Sequence, residues 1–408
     1  MVLHLFPIFF RYSLKGVLNS LEGLEEISMP ERKLLMVPGP SIVDPEVLRA
    51  TSRSTESHLH RPFAEKFGVV LENLKRLFVT DGEVFAIAGS GTLAQEVGLA
   101  NVINPGDSVL NLVNGFFSGR FVDMAQRLGT KSIKVEVPIG EGIEPDQVKK
   151  ALRGKDFKAV TCSHVETSSS VAIDVEAIGE VVEESGAFFI VDSVCSLGGL
   201  EVKTDEWNID MNCSCTQKAL GVPPGLALLA ASKRAVEFVE QRETSAMSFY
   251  GDLKGWLNVS REPIRYYATP PINLIYGLDV GLRNILNEGL ANRAARHKKL
   301  ANAFRNSMKA IGLPLVAKPK FAADTVTSVF YPPGIDDIAF REDVGNLGVI
   351  IARGFGPLVG KTFRVGHMGS CTSNDIIATV SAIERTLKKY KYDFEYGLGC
   401  KAAQEALD

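Results

Sequence analysis

At 408 residues, with 45% hydrophobic and 23% charged side chains, the chain has the composition of an ordinary soluble globular protein and room for two domains, or one large domain with an appendage. A net charge of -3 gives no basic footprint for nucleic acid and no polybasic face for a membrane surface. The six cysteines, at 162, 195, 213, 215, 371 and 400, are scattered through apolar runs with no C-x-x-C pair; this argues against a metal site and for reduced thiols in a cytoplasmic protein.

Residues 1–28 stand apart. Met1 to Phe10 is apolar except for His4, Arg11 and Lys15 follow, and no acid precedes Glu22. Ten apolar residues cannot span a bilayer, and no small-residue cleavage site clearly follows. The expectation is an arm that packs on a partner subunit, or a true start at Met29, with an organelle-targeting segment as the third reading. From about residue 84, short β-rich runs alternate with amphipathic stretches. Strands are predicted over 84–88, 108–113, 132–137, 159–163, 187–192, 212–216 and 226–230, and helices over 93–102, 120–128, 145–152 and 175–185, the last opened by Asp174 and Glu176. Apolar runs separated by helices predict parallel strands buried on both faces. Beyond Tyr267-Ala268-Thr269-Pro270-Pro271, long helices are predicted over 272–286 and 290–311. The second leads to a smaller unit, with strands near 325–331, 349–351 and 363–365 and helices near 337–347 and 374–390. The predicted class is α/β: an arm or extension over 1–30, a large domain over 31–290 with a mostly parallel seven-stranded sheet, and a small C-terminal α/β domain over 291–408.

Gly89-Ser90-Gly91-Thr92-Leu93-Ala94 is a glycine turn between a predicted strand and helix. Free amides and the helix dipole there suit a phosphate, with the Ser90 and Thr92 hydroxyls as further donors. It also satisfies the dinucleotide pattern G-x-G-x-x-A. However, the candidate ribose-binding acid, Asp107, precedes the second strand instead of ending it, so a single phosphate group is the better guest. Phe117 follows that second strand and can stack on a flat ring or simply belong to the core. His164 leaves another strand in a run of hydroxyls, where packing and catalysis are equally open readings. Arg364 sits mid-strand among apolar neighbours and needs an anionic partner, either a substrate carboxylate or an internal salt bridge.

Lys218 lies between a β-like run and the turn Gly221-Val222-Pro223-Pro224-Gly225, and an earlier buried-looking strand ends on Asp192. A lone lysine held near a carboxylate at a sheet edge is what Schiff-base chemistry with pyridoxal phosphate (PLP) requires, the acid keeping the ring nitrogen protonated.

From Leu35-Met36-Val37-Pro38-Gly39-Pro40-Ser41 to about Tyr390, the chain resembles the class V, fold-type I PLP aminotransferases of the alanine–glyoxylate and serine–pyruvate group. Further motifs carrying the resemblance are Ala88-Gly89-Ser90-Gly91-Thr92, His164-Val165-Glu166-Thr167-Ser168, Val191-Asp192-Ser193, Thr216-Gln217-Lys218, Tyr266-Tyr267-Ala268-Thr269-Pro270 and Phe363-Arg364-Val365-Gly366-His367-Met368-Gly369. The resemblance implies that Lys218 is the Schiff-base lysine and proton shuttle, and that Asp192 is the partner of the pyridine nitrogen. It implies a phosphate cup of Ser90, Gly91, Thr92 and Gln217, a ring-stacking Phe117 and a hydroxyl from Thr167 near the ring oxygen. Arg364 would bind the substrate carboxylate, with the backbone of Gly39 lining the same pocket. Tyr266 and Thr269 would reach the phosphate of a neighbouring subunit's cofactor, which implies a homodimer with shared active sites. Ser169-Ser170 departs from the Thr-Gly usual in the family, where glycine makes the backbone permissive.

The implied reaction moves the amino group of alanine or serine to glyoxylate or pyruvate. A second cationic anchor for dicarboxylates, Arg120 or Arg353, stays open. The alternatives are 2-aminoethylphosphonate transamination, a cysteine desulfurase using Cys371, and a non-enzymatic PLP-binding regulator.

Overall fold

The structure is a computed structural model that describes residues 33–408 apart from Ser245 and Met247. The expectations for residues 1–28, including a start at Met29, lie outside the described residues. Leu34–Asp408 form one compact unit. Its strands, in chain order, are β1 (Leu34–Leu35), β2 (Glu83–Gly89), β3 (Ser108–Val113), β4 (Lys131–Glu136), β5 (Ala159–Ser163), β6 (Val165–Glu166), β7 (Val171–Ala172), β8 (Phe188–Asp192), β9 (Met211–Cys215), β10 (Gly225–Ala231), β11 (Val326–Phe330), β12 (Val349–Ile350), β13 (Ala352–Arg353) and β14 (Thr362–Gly366).

The seven strands predicted first form one sheet, ordered β2-β10-β9-β8-β5-β3-β4. Neighbours from β9 to β4 are parallel, while β10 runs antiparallel to both β2 and β9. That reversal departs from the parallel pattern predicted for 226–230. Only residues 216–224 join β9 to β10, too short a link for a crossover, which takes a dozen residues or more. The prediction of burial on both faces also fails at β4, the edge strand, where Lys131, Lys134 and Glu136 are exposed. Charges there blunt a row of unpaired backbone groups.

The carboxyl ends of β2, β3, β5, β8 and β9 meet along one edge, because β2 shares their direction through its antiparallel partner β10. The helix predicted at 175–185 forms as Val175–Ser185, capped by Asp174, whose side chain accepts from the Ala177 amide at 3.0 Å, and closed by Gly186 in the left-handed region. The helix predicted at 120–128 begins a turn earlier, at Phe116. Its cap is the carboxylate of Glu166, distant in sequence, which accepts the Phe117 and Ser118 amides at 3.0 and 2.8 Å. Helices Arg61–Phe78, Lys233–Gln241 and Leu253–Arg261 were not anticipated.

Beyond the helices Ile272–Glu288 and Leu290–Ala310, β11, β14 and β13 form an antiparallel sheet, and β1 pairs in parallel with β12. The chain's first described strand is thus stitched to its C-terminal part. One large hydrophobic cluster, including Phe63, Ile87, Phe189 and Leu228, surrounds the main sheet. A second, including Met36, Phe304, Phe340 and Phe363, lies under β14. Each such fully buried side chain stabilises by about 1.5–3 kcal/mol relative to exposure.

Candidate active site

One cleft at the carboxyl edge of the main sheet is lined by Gly39, Ser90, Gly91, Thr92, Phe117, Thr167, Asp192, Gln217, Lys218 and Arg364. Tyr266 and Thr269 do not line it; both are exposed, and Tyr266 packs on His58 with ring centroids 5.2 Å apart. A separate groove at the opposite strand ends holds the ion pair between Arg234 and Asp210.

Lys218 leaves β9 two residues after Thr216 and lies across the Pro38-Gly39 backbone, its Nζ donating to the Pro38 carbonyl. Gly39 has φ +119, and a Cβ there would sit 2.5 Å from Lys218 Cδ and 2.8 Å from Nζ. Only glycine combines that backbone conformation with that approach.

Asp192 ends β8 with 4% exposure. Its Oδ2 accepts from Gln95 Nε2 at 2.6 Å and Ser163 Oγ at 3.0 Å, and its Oδ1 from the Val194 amide at 2.9 Å. Desolvation outweighs these donors and pushes the carboxyl up to about 6. Gln95 and Ser163 had no expected role, and no local motif marks them; only the folded sheet brings them to Asp192.

The helix Gly91–Ala100 opens at the cleft with Ser90 as its N-cap residue, and no side chain caps its first turn. Thr92 Oγ1 accepts from Arg120 Nη1 at 3.1 Å. Of the two residues left open as a second cationic anchor, Arg120 lines the cleft; Arg353 is exposed, and its carbonyl accepts from Arg364. The Gln217 Oε1 atom is buried without a partner.

Phe117 meets Phe355 edge-on, with centroids 5.4 Å apart, under the guanidinium of Arg120. Glu166, fully buried, takes hydrogen bonds from the Phe117, Ser118 and Ser168 amides and from the Ser118 and Ser168 hydroxyls. It anchors both the aromatic wall and the Thr167 loop, although its motif gave it no individual role. Ser170, standing where glycine is usual, has φ +62 and is held there by its amide to the Glu166 carbonyl at 2.8 Å and its hydroxyl to Ser328 at 2.9 Å.

Arg364 is 3% exposed and donates to the carbonyls of Arg353 and Thr167 at 2.8 and 3.0 Å, with Cζ 4.6 Å above the Phe355 ring. Burial lowers its pKa to about 10. Among the described residues no carboxylate lies within salt-bridge distance of it, so the internal salt bridge is not what holds this charge. His164 lies against Trp207, ring centroids 5.6 Å apart, and burial lowers its pKa to about 4; it does not line the cleft and reads as a packed histidine. Cys371 is 2% exposed, and burial pushes its thiol up to about 12, which removes the nucleophile a desulfurase needs.

A model of the family described as aminotransferase class-V matches residues 47–354. The chain belongs to the class-V aminotransferases. It is 39% identical to an uncharacterized aminotransferase of Methanocaldococcus jannaschii, covering 92% of this chain and 98% of that protein. It is 32% identical to the serine–glyoxylate aminotransferase of Methylorubrum extorquens, with 93% and 96% covered. The crystal structure of ureidoglycine–glyoxylate aminotransferase from Bacillus subtilis superposes with a TM-score of 0.87 at 33% identity, over 92% of this chain and 97% of that one. The fold is that of the fold-type I PLP aminotransferases, and the enzyme is a PLP-dependent transaminase. The cleft fits the cofactor: an uncapped helix terminus for a phosphate, a buried carboxylate for a ring nitrogen, and an amine seated on a glycine between them.

Proposed function

We propose that this aminotransferase transfers the amino group of a small monocarboxylic amino acid, alanine or serine, to glyoxylate or pyruvate. The observation that carries the reading is Arg364: a buried guanidinium that, among the described residues, donates only to two neutral carbonyls, opening on the cleft that holds Lys218 and Asp192. An uncompensated buried charge is costly, and a substrate carboxylate supplies the missing anion in the planar geometry a guanidinium favours. The two relatives named above for defined substrates both use glyoxylate as acceptor by name.

PLP, when bound, supplies the electron sink for the charge left as the substrate Cα loses its proton. Lys218 Nζ would hold the cofactor and, as an amine in the cleft, would serve as the group that carries the Cα proton. Asp192 keeps a proton on the ring nitrogen. Ser90, Gly91, Thr92 and Gln217 hold the phosphate, Phe117 covers the ring, and Thr167 stands by the ring oxygen. Arg364 would orient the donor through its carboxylate, with the backbone of Gly39 lining the same cleft. Tyr266 and Thr269, exposed and outside their own chain's cleft, reach the phosphate of the partner's cofactor in a homodimer; light scattering that finds an active monomer would contradict this. The two hydrophobic clusters support a large domain over 31–290 and a small one over 291–408, with β1 lent to the latter. Six free thiols support a reducing, cytoplasmic setting; no helix among the described residues is long and apolar enough to cross a membrane.

The test is a panel of alanine, serine and aspartate against glyoxylate and pyruvate, run with an absorbance spectrum of the PLP-loaded protein. Alanine or serine should convert the spectrum and drive turnover. A preference for aspartate would shift the assignment to dicarboxylates and to Arg120, while an unresponsive spectrum with every donor would overturn it.

A further inference from the structure

Gln95 is 3% exposed, one turn into the helix that begins at Gly91, and its side chain crosses to β8. Each oxygen of a carboxylate offers two in-plane lone pairs. On Asp192 Oδ2, both are taken, by Gln95 Nε2 at 2.6 Å and Ser163 Oγ at 3.0 Å; Oδ1 takes one donor, the Val194 amide at 2.9 Å. One acceptor site remains, and it is on Oδ1. We propose that Gln95 is a positioning residue for the cofactor: with Ser163 it saturates Oδ2, which holds Asp192 ionised and presents Oδ1 to the ring nitrogen. The inference rests on the reading of Asp192 given above and adds to it the residue that tunes that carboxylate.

The amide's orientation supports this. Among the described residues Gln95 Oε1 is buried with no partner, and the side chain makes one hydrogen bond, with its donor end. A protonated Asp192 would carry a hydroxyl, for which the carbonyl end is the better partner. The seated amide therefore matches the ionised acid.

The groups around Asp192 do little to help that ionisation. The charge of Glu166 on β6 opposes it, and the thiols of Cys162 on β5 and of Cys213 and Cys215 on β9 are pushed up by burial and stay protonated. Lys218 shares the cleft, but as the amine that engages the cofactor it is not a fixed counter-ion. The hydrogen bonds from Val194, Ser163 and Gln95 pull the carboxyl down against its burial.

The experiment measures the affinity of the apoenzyme for pyridoxamine 5′-phosphate, which binds without a bond to Lys218, between pH 5.5 and 8.5 by fluorescence titration. In the unaltered protein, affinity should fall as the pH drops through about 6. In Gln95→Met, which keeps length and apolar bulk but removes the donor, the fall should begin about one pH unit higher, with affinity about twofold weaker at pH 7 and approaching tenfold weaker at pH 5.5. The two curves should converge at pH 8.5. Ser163→Ala should move the midpoint the same way and serves if Gln95→Met does not fold. An unchanged curve, or a loss of equal size at every pH, would overturn the inference and leave Gln95 a packing residue. Asp192→Asn separates the two levels: it should bind weakly with a flat profile. If it instead keeps the unaltered affinity and pH dependence, the reading of Asp192 itself fails.

Discussion

Replacing Asp192 with asparagine should stabilise the apoenzyme while it disables the holoenzyme. The carboxyl titrates near 3.8 when solvated and near 6 in the fold, with desolvation as the largest cause. Between those values the folded state binds more protons than the unfolded one, so stability falls as pH rises through the window and the full cost is present above pH 6. A shift of about two units at 1.36 kcal/mol each sets that cost at about 3 kcal/mol. Asparagine carries no charge to bury, and a turned Gln95 amide can still pair with it, so about 3 kcal/mol is the ceiling of the gain. With unfolding entropy near 2.1 cal/mol/K per residue, this corresponds to a rise of roughly 4 °C in Tm. The assay is a melting curve of apo Asp192→Asn and apo parent at pH 4 and pH 7.5, with and without PLP. The advantage should vanish at pH 4, where both side chains are neutral in the fold, and appear at pH 7.5. Added PLP should raise the parent's Tm more than the variant's. An apo variant that melts at or below the parent at pH 7.5 would show that the carboxylate is not strained by its burial, and the reasoning would fail.

Lys218→Ala should lower turnover by several orders of magnitude with the fold intact, checked by circular dichroism alongside the activity panel. Arg364→Lys should raise the donor KM by tenfold or more, since losing a charge-assisted bidentate pair costs on the order of 2–5 kcal/mol, and PLP affinity should hold. A lowered Tm with unchanged KM would return Arg364 to a structural role. Gly39→Ala puts a Cβ 2.5 Å from Lys218 Cδ at a φ of +119; the flexible lysine should swing away, so kcat should fall by about tenfold or more while the protein still folds.

The main sheet was legible because most of its strands are short β-rich runs with no competing helical period. Ala159–Ser163 and Phe188–Asp192 are buried at every position. What the sequence hid was set by partners far along the chain. The antiparallel turn of β10 depends on a link too short to cross over, a property of spacing and not of the strand itself. The helix at Phe116 starts where Glu166, some 50 residues later, can take its amides. Nothing within a local window marks that start.

The site divides the same way. The groups proposed to touch the cofactor or substrate sit in short motifs at strand ends, so a lysine before a Gly/Pro turn or an arginine inside an apolar strand stands out against its neighbours. The groups that set their chemistry do not. Asp192 takes its side-chain hydrogen bonds from Gln95 and Ser163, 97 and 29 residues away, and Arg364 is held by the Thr167 carbonyl, 197 residues away. Glu166 links both halves: it pins Phe117 through the helix amides and, through Ser168, holds the loop whose Thr167 carbonyl steers Arg364. A carboxylate saturated by five donors has no lone pair to spare for a ligand. It ties the helix that carries Phe117 to the loop that carries Thr167, and its five donors are why a charged residue is tolerated with no exposure at all.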